Sequence, residues 1–264
     1  MKKKQLLKFI SNEDLFKQVG HVLDVAKRTS SKAGERLFTN TIDPFSALFD
    51  AMHQGISLEQ WLDQEKARQT QKTLQNALGG FHQEILGSIP GWESMGTGNV
   101  FDLKNDKLKI IAEVKNKYNT TKGNHKVAIY DDLKDQLKTK YKGYTSYYVE
   151  VIPKGKTVYN KPFTPPDNRT HKRRAVRNDI RVIDGKSFYG LAAGDSEAIK
   201  KFYNALPIVI KELLGKNKTV GDYTHKRGKG QFLDTSIVSD SPKDKKNSSS
   251  DLNQDYSKLF ERVY

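Results

Sequence analysis

The sequence predicts an α/β fold with a helical N-terminal region, and three observations support that prediction. Apolar residues recur at helical spacing through the first ninety residues. The period changes to two within FDLKNDKLKIIAEVKNKYNT, residues 101–120, which is the pattern of paired strands. Helical spacing then returns, and YTSYYVEVI, residues 144–152, is rich in the β-branched and aromatic residues of core strands. The predicted order is helix, strand, strand, helix, strand.

The N-terminal region, residues 1–90, is predicted to contain three helical stretches. Ser11 stands as the cap of the first, ahead of apolar residues at helical spacing. Pro44 marks the start of the second and Gly55 its end, as expected for a proline in the first turn and a glycine after the last. Ser57 opens the third and longest. We expect this region to pack on the core or to extend it.

Two strands joined by a tight turn are predicted next. NVFDL, residues 99–103, forms the first strand, KNDK the turn, and LKIIAEVKNK, residues 108–117, the second. A helix follows, because apolar residues recur at helical spacing from Val127 to Tyr141, and YTSYYVEVI forms a third strand. These elements open the region 91–215, which we expect to be the catalytic core.

The rest of the chain is less regular. Residues 154–181 are irregular and basic, and IRVIDGKSFYGLAAG, residues 180–194, indicates a further strand and a turn. Ser196 is expected to cap a last helix that Pro207 kinks or divides. Residues 216–264 are predicted to form a basic, partly flexible C-terminal segment, in which HKRGKG is either a second clamp on a phosphate backbone or a solvated tail.

The composition favours a polyanionic partner. The chain has 46 Lys and Arg against 31 Asp and Glu, a net charge of +15, which favours nucleic acid over a membrane. It has no cysteine, which excludes disulfides, thiolate zinc sites and cysteine nucleophiles. The apolar stretch after the N-terminal lysines is interrupted too soon for a signal peptide, and no apolar run approaches membrane-spanning length. We expect a cytoplasmic protein with no membrane partner.

The second predicted strand carries the residues with the clearest chemistry. Ile111, Glu113 and Lys115 point to one of its faces, so Glu113 and Lys115 stand side by side. Pairing through the tight turn brings Asp102 near Glu113, and two converging carboxylates describe an oxygen-rich site for Mg²⁺. A metal there would polarise a scissile phosphate and lower the pKa of a water. Lys115 would orient or deprotonate that water and stabilise the developing charge. The pattern is therefore typical of phosphodiester hydrolysis.

The same residues resemble a known family. Asp102, ten residues and then Glu113-Val114-Lys115 resemble the PD-(D/E)XK nuclease signature, and the element order resembles the core of that superfamily. FHQEILGSIPGW, IIAEVKNKYNT and IRVIDGKSFYGLAAG resemble type II restriction endonucleases of the SinI-like group, which read GGNCC or GGWCC. The resemblance covers residues 10–215. It implies a PD-(D/E)XK core with a mixed central sheet flanked by helices, and Mg²⁺-dependent double-strand cleavage of DNA at a short GC-rich palindrome.

The resemblance also implies partners. A two-fold palindrome cut on both strands is matched by a two-fold protein, so a homodimer is expected. A cognate DNA methyltransferase would protect the DNA of the same bacterial cell, as a functional partner without physical contact.

The resemblance gives each site residue a role. Asp102, Glu113 and the carbonyl of Val114 would be metal ligands, and Lys115 the catalytic lysine. The chain departs from the family pattern at Phe101, where the superfamily usually has proline before the first acid.

The helix before the core contributes two further candidates. Glu84 resembles the extra acid that some of these nucleases place near the metal. Its neighbour Gln83 is a weaker candidate for the same position. An exposed helix charge is the alternative explanation of Glu84.

Residues that hold or read DNA are predicted in two places. At the exit of the second strand the candidates are Asn116, Lys117, Asn119 and Thr120. The other place is the segment 154–181, whose strongest charge cluster runs from Asn168 to Arg181. Arginine and lysine there suit the O6 and N7 atoms of guanine in a GG/CC site. The predicted DNA-binding residues of this cluster are Arg169, Lys172, Arg173, Arg174 and Arg177.

Two alternatives remain open. In the first, the protein is another PD-(D/E)XK nuclease that acts in repair or junction resolution, and it prefers branched DNA. In the second, it is a non-catalytic nucleic-acid-binding protein, and Glu113 and Lys115 form an ordinary strand ion pair worth less than about 1 kcal/mol. That protein would bind in a salt-sensitive way without metal-dependent cleavage.

Overall fold

A computed structural model describes residues 4–31, 37, 39–96, 98–215 and 258–264. The helices are α1 Asn12–Ser31, α2 Pro44–Gln54, α3 Leu58–Gly87, α4 Gly123–Lys138, α5 Gly185–Ala193 and α6 Ala198–Leu214. The strands are β1 Glu93–Ser94, β2 Leu103–Asn105, β3 Ile110–Lys117, β4 Thr145–Ile152, β5 Asn160–Pro162, β6 Pro166–Asp167, β7 Lys172–Arg173 and β8 Ile180–Asp184. The segment HKRGKG, with the rest of 216–257, lies outside the described residues.

The central element is a mixed six-stranded sheet in the order β1-β2-β3-β4-β8-β5. Strands β3, β4 and β8 are parallel, while β1, β2 and β5 run antiparallel to their neighbours. Strands β6 and β7 form a separate antiparallel pair. The predicted α/β class is confirmed. The predicted order helix, strand, strand, helix, strand is found in α3, β2, β3, α4 and β4, with the two-residue strand β1 as an additional strand between α3 and β2.

Strand β3 is covered on both faces, and its predicted alternation is confirmed. Ile110, Ala112 and Val114 are buried in the larger apolar cluster, which includes residues of α1, α3, α5 and α6. Ile111, on the opposite face, is buried in a second cluster together with Leu133 of α4. Because the first residues of β3 are packed on both faces of the sheet, the position of the strand is fixed there, just ahead of its polar residues.

The predicted ends of the N-terminal helices are confirmed. Before α1, the backbone N–H of Asp14 donates to the Ser11 hydroxyl at 3.0 Å, and that hydroxyl donates to the Asp14 carboxylate at 2.6 Å. Helix α2 begins at Pro44 and ends before Gly55, whose φ of 65° is the left-handed conformation that glycine adopts readily. Ser57 caps α3 in a capping box.

The first strand of the predicted hairpin is placed too early in the sequence. Residues 99–102 form a bend, and β2 begins only at Leu103. The antiparallel hairpin with β3 is nevertheless confirmed, with Leu103 opposite Ala112. The start of β2 is set by the hydrogen-bond ladder with β3 and not by strand propensity. Asp102 makes a backbone hydrogen bond, but it is not paired in the ladder and so lies outside the strand.

Two predictions for the C-terminal half are wrong. GKSFYGLAAG forms helix α5 instead of a turn, because the Asp184 carboxylate accepts a hydrogen bond from the Ser187 N–H at 3.0 Å and caps the helix. Ser196 does not cap α6, which begins at Ala198 without a side-chain cap. Pro207 lies within one continuous helix, α6, rather than dividing it. The irregular segment 154–181 contains β5, β6 and β7.

Residues 258–264 pack on the core. The hydroxyl of Tyr264 donates to the backbone carbonyl of Val151 at 2.6 Å, and the rings of Phe260 and Tyr203 lie 4.7 Å apart. The end of the chain is thus attached to β4 and α6. Among the described helices, none has the length and apolar character needed to cross a bilayer.

Helix α5 approaches β4 so closely that Gly185 has no room for a side chain. A Cβ at this position would lie 2.2 Å from the carbonyl oxygen of Val151, a backbone atom that cannot move aside cheaply. We expect Gly185→Ala to cost about 3 kcal/mol or more in unfolding free energy, measured by urea denaturation. Gly79→Ala is the matched control, because a Cβ at Gly79 in α3 meets nothing within 4 Å and should stabilise by about 0.5–1 kcal/mol. Equal stability of the two variants would contradict this prediction.

Candidate active site

The hairpin of β2 and β3 brings Asp102 to the level of Glu113. The Asp102 backbone N–H donates to the Ala112 carbonyl at 2.9 Å. Its carboxylate accepts a hydrogen bond from the Val114 N–H at 2.7 Å. The Asp102 side chain is therefore fixed across the hairpin beside the next residue of β3, which is where the sequence predicted it.

Glu113 and Lys115 stand side by side on β3. The Lys115 ammonium lies 2.5 Å from the Glu113 carboxylate, and the two side chains are 25% and 13% exposed. Burial raises the pKa of Glu113 to about 7, with the charge of Asp102 as the second cause, while Lys115 acts in the opposite direction. Burial also raises the pKa of Asp102, against the hydrogen bond from Val114. Two acids that share one half-buried place are costly when both are charged, so the site favours a cation beside them.

Gln83 of α3, rather than Glu84, reaches this site. Its amide nitrogen lies 3.4 Å from the Val114 carbonyl oxygen, and a hydrogen bond between Gln83 and Asp102 lowers the pKa of that acid. Glu84 points elsewhere and accepts a hydrogen bond from the Ser94 hydroxyl at 2.8 Å. Within the described ranges, no three His, Cys, Asp or Glu side chains are grouped to hold a metal. The role of Glu84 as a third acid stays a prediction.

This contrast gives a direct test. We expect Gln83→Ala to lower the rate of DNA cleavage by about 10- to 100-fold, because Asp102 and the Val114 carbonyl lose a neighbour that orients them. Glu84→Gln is the matched control on the adjacent position of the same helix, and its cleavage rate should stay within about 3-fold of wild type. The rates are compared on a supercoiled plasmid at saturating Mg²⁺. A larger loss in Glu84→Gln would instead support the third-acid role.

Comparison with known proteins identifies the family. The family model described as Eco47II restriction endonuclease matches residues 7–215. The chain belongs to the Eco47II restriction endonuclease family. It is 43% identical to the type II restriction enzyme Eco47II of Escherichia coli over 80% of this chain and 89% of that protein. It is 29% identical to the type II restriction enzyme Sau96I of Staphylococcus aureus over 78% of this chain and 80% of that protein. The prediction of a type II restriction endonuclease is thus confirmed.

In this member of the Eco47II family, the residues after β3 close a tight turn. The Thr120 hydroxyl accepts a hydrogen bond from the Lys117 N–H at 3.1 Å and donates to the Lys117 carbonyl. Asn116 is half-buried, whereas Lys117 and Asn119 are exposed at the end of the strand. Thr120 therefore has a structural role in the turn. The proposed contacts of these four residues with DNA stay predictions.

The basic cluster of this Eco47II-family enzyme divides into paired and unpaired side chains. Arg174 lies 2.7 Å from Asp131 of α4 and 3.1 Å from Asp167, and so ties the β6–β7 hairpin to α4. Arg177 makes two hydrogen bonds with the Asp179 carboxylate, at 2.9 and 2.5 Å. The sequence could not separate Arg174 from the other arginines, because its partner Asp131 is distant along the chain.

The remaining residues of the cluster face solvent. Arg169 and Lys172 are exposed on the β6–β7 hairpin, and the guanidinium of Arg173 donates to the Thr164 carbonyl at 2.8 Å. The turn of this hairpin lies beside the start of α4, since a Cβ on Gly123 would be 3.9 Å from the Asn168 amide. The exposed cations thus lie on a hairpin whose turn is close to the start of α4.

A further buried acid, which was not predicted from the sequence, lies beside the site. Glu150 of β4 is paired in register with Lys115, so both side chains lie on the same face of the sheet. Its carboxylate accepts hydrogen bonds from the Lys126 ammonium at 2.6 Å and from the Tyr159 hydroxyl at 2.5 Å. Glu150 is therefore neutralised within the protein. The only signal in the sequence was an acid inside an otherwise apolar strand.

Proposed function

We propose that this enzyme hydrolyses phosphodiester bonds of double-stranded DNA in a Mg²⁺-dependent reaction at Asp102, Glu113 and Lys115. The observation that supports this most directly is the pair of half-buried carboxylates with raised pKa values, adjacent to a lysine on the same strand face. Structural ion pairs on a sheet surface do not need two converging acids. A site that cleaves a polyanion with the help of a cation does.

The donor set fits Mg²⁺ better than a softer metal. Asp102 and Glu113 offer carboxylate oxygens and Val114 a carbonyl oxygen, while the chain contains no cysteine. Oxygen ligands are those that Mg²⁺ prefers, together with waters and a substrate phosphate. When bound, Mg²⁺ would polarise the scissile phosphate and acidify a water.

The chain's own residues would orient the metal ligands and stabilise the charge on the phosphate. The Val114 N–H holds the Asp102 carboxylate at 2.7 Å, so one ligand is fixed before substrate arrives. Lys115, whose ammonium lies 2.5 Å from the Glu113 carboxylate, would stabilise the negative charge that develops on the phosphate. Gln83 supports Asp102 from the side of α3.

The recognition site that we propose is a short GC-rich palindrome of the GGNCC or GGWCC type, read by a homodimer. The net charge of +15 favours a polyanionic substrate, and exposed arginines and lysines suit guanine O6 and N7. A cognate methyltransferase would protect such sites in the cytoplasm of the bacterial cell. The PD-(D/E)XK core belongs to the same proposal and is supported by the order of α3, β2, β3, α4 and β4.

The proposal is tested by digestion of an unmethylated plasmid with Mg²⁺ and with EDTA. Discrete fragments in Mg²⁺ alone, with ends that map to GGNCC sequences, are expected. Short duplexes with an A·T or a G·C pair at the centre of GGNCC then separate the two site types. A folded, DNA-binding enzyme that leaves several plasmids intact with every divalent metal would overturn the proposal.

The division of the basic cluster predicts two kinds of variant. Arg169→Ala and Lys172→Ala should each weaken DNA binding with no loss of stability. In each variant, the slope of the logarithm of the binding constant against the logarithm of the salt concentration should become shallower by about one unit. Arg174→Ala should lower the stability of the protein, because Asp131 and Asp167 lose the partner that ties the β6–β7 hairpin to α4. Fluorescence anisotropy at several salt concentrations and urea denaturation distinguish them. Unchanged stability in Arg174→Ala would contradict its structural assignment.

A further inference from the structure

Helix α2 carries an apolar surface that nothing in the described chain covers. This surface, the α2 stripe, consists of Phe45, Leu48, Phe49 and Met52, which are 73, 60, 75 and 75% exposed. Their spacing of three, four and seven residues places them on one face of the helix. The opposite face already packs, because Ala47 and Ala51 are buried against Trp61 of α3. Among the described residues, the stripe thus plays no part in the packing of α2 on its own chain.

The stripe is large enough to form the centre of an interface. At the exposures given above, its four side chains present roughly 500 Å² of apolar surface. A stable protein interface buries about 800 Å² on each partner, and its fully buried core is the more apolar part. The two phenylalanines have the size and rigidity of the residues that dominate binding energy at such centres.

The charges around the stripe do not favour DNA as its occupant. Residues 37–65 contain five acidic residues and no lysine or arginine, in a chain whose net charge is +15, although two of these acids pair with Lys66 and Arg68 just beyond this range. A polyanion would be repelled from this part of the surface. A protein surface is therefore the suitable partner, and an apolar stripe on a helix is self-complementary when a second copy is turned through a two-fold axis.

We propose that the α2 stripe is the contact between two copies of this chain, packed as an antiparallel pair of α2 helices. This inference rests on the homodimer proposed above and specifies where the copies meet. Antiparallel packing brings the N-terminal end of one helix, where Asp43 caps the backbone, to the last turn of the other, where His53 lies. The helix dipoles are complementary in that arrangement and opposed in a parallel one.

The position of the stripe suits a dimer that surrounds its substrate. Trp61, which packs against α2, and Gln83, which reaches the active site, lie on the same continuous helix α3. Their separation of 22 residues corresponds to about 33 Å. Contact between the two α2 helices thus joins the copies far from both active sites. The surface beside Asp102 and Glu113 stays free for DNA.

The test measures the mass of the full chain in solution by sedimentation at several concentrations. The wild type is expected at twice the 30.0 kDa of one chain, and Phe49→Glu should weaken dimerisation by about 100-fold. Met52→Lys is a second variant with the same expected effect, and circular dichroism checks that both are folded. Val158→Glu is the control, because Val158 is 60% exposed and lies outside α2, just before β5. A wild type that is monomeric at tens of micromolar, or a Phe49→Glu protein as dimeric as wild type, would overturn the inference.

The absence of cysteine gives an independent readout. A single cysteine introduced by Phe49→Cys should form a disulfide between two copies when copper phenanthroline oxidises the thiols, while Val158→Cys should not. Plasmid digestion by the same preparations separates the two proposals. A dimer that depends on the stripe but never cleaves would refute the nuclease mechanism alone. If the enzyme cleaves at discrete sites and Phe49→Glu leaves its dimerisation unchanged, the role of the stripe as the dimer contact would be refuted, but the nuclease mechanism would not.

Discussion

Glu113→Gln is expected to abolish DNA cleavage and at the same time to stabilise the metal-free protein. Loss of one carboxylate removes a proposed Mg²⁺ ligand, and the rate should fall by about 10³-fold or more. The gain in stability follows from the pKa of Glu113, which burial and Asp102 raise from 4.5 to about 7. Between these two values the folded protein holds a proton that the unfolded chain releases, so stability falls as pH rises from 4.5 to 7.

The size of this effect is set by the shift in pKa. At pH 8 the folded protein bears almost the full free-energy cost of ionising Glu113, which is about 3 kcal/mol. The substitution Glu113→Gln removes this cost, because a neutral amide does not ionise. Thermal unfolding of wild type and Glu113→Gln without metal should therefore differ at pH 8 and converge near pH 4. Mg²⁺ should raise the Tm of the wild type but not of the variant, because a ligand stabilises only the state that binds it.

Glu93→Gln is the matched control for this experiment. Glu93 lies on β1 of the same sheet, but its side chain is 62% exposed and paired with Lys104. Its replacement should leave cleavage, and the response of Tm to Mg²⁺, unchanged. Full cleavage by Glu113→Gln, or a variant less stable than wild type at pH 8, would contradict the assignment of this residue.

The chemistry of β3 was predictable from sequence because it depends only on the strand period. A period of two puts Glu113 and Lys115 on one face whatever their neighbours are, and their pairing at 2.5 Å agrees with that expectation. The position of Asp102 was predictable to within the boundary of β2. Its hydrogen bond with the Val114 N–H depends on the hairpin register, which the turn sequence alone does not specify.

Contacts between distant elements were not predictable in the same way. Gln83 and Glu84 are adjacent on α3, and which of them faces β3 depends on the rotation of the helix against the sheet. Likewise, nothing in the local sequence reveals that Arg174 is held by Asp131 of α4. Helix periodicity did place Phe81 and Ile85 in the core. At a turn of about 100° per residue, however, Gln83 lies roughly opposite the face of Phe81 and Ile85, so helical periodicity alone would not have preferred it to Glu84.

The apolar face of α2 illustrates a different limit. The sequence predicted the helix and both its ends correctly, yet helical spacing cannot distinguish a face that packs on its own chain from one that is left exposed. Ala47 and Ala51, the smaller residues, are those buried against α3, while the larger phenylalanines remain outside. Only the packed structure makes that distinction.

Lys115→Met is expected to lose cleavage by about 10²- to 10⁴-fold while retaining DNA binding. Methionine keeps the apolar length of the side chain and removes the ammonium that would stabilise charge on the phosphate. Because Lys115 lowers the pKa of Glu113, its removal should also raise that pKa further. The Glu113 carboxylate, which is the proposed ligand of the cation, would then form only at higher pH. The pH dependence of Mg²⁺ binding should accordingly shift upward, which simple loss of a phosphate contact would not cause.

Lys104→Met separates this role from that of an ordinary buried lysine. Lys104 lies on the neighbouring strand β2, is 20% exposed against 25% for Lys115, and pairs with Glu93 and Asp106 at 3.1 Å each. Its replacement should change stability slightly and cleavage by less than about 3-fold. Single-turnover rates measured from pH 6 to 9, beside the affinity of each variant for DNA, decide the matter. Equal losses in the two lysine variants would mean that Lys115 supports the sheet, whereas a loss confined to Lys115→Met, together with the upward pH shift, would assign the Lys115 ammonium to the same site as the Glu113 carboxylate.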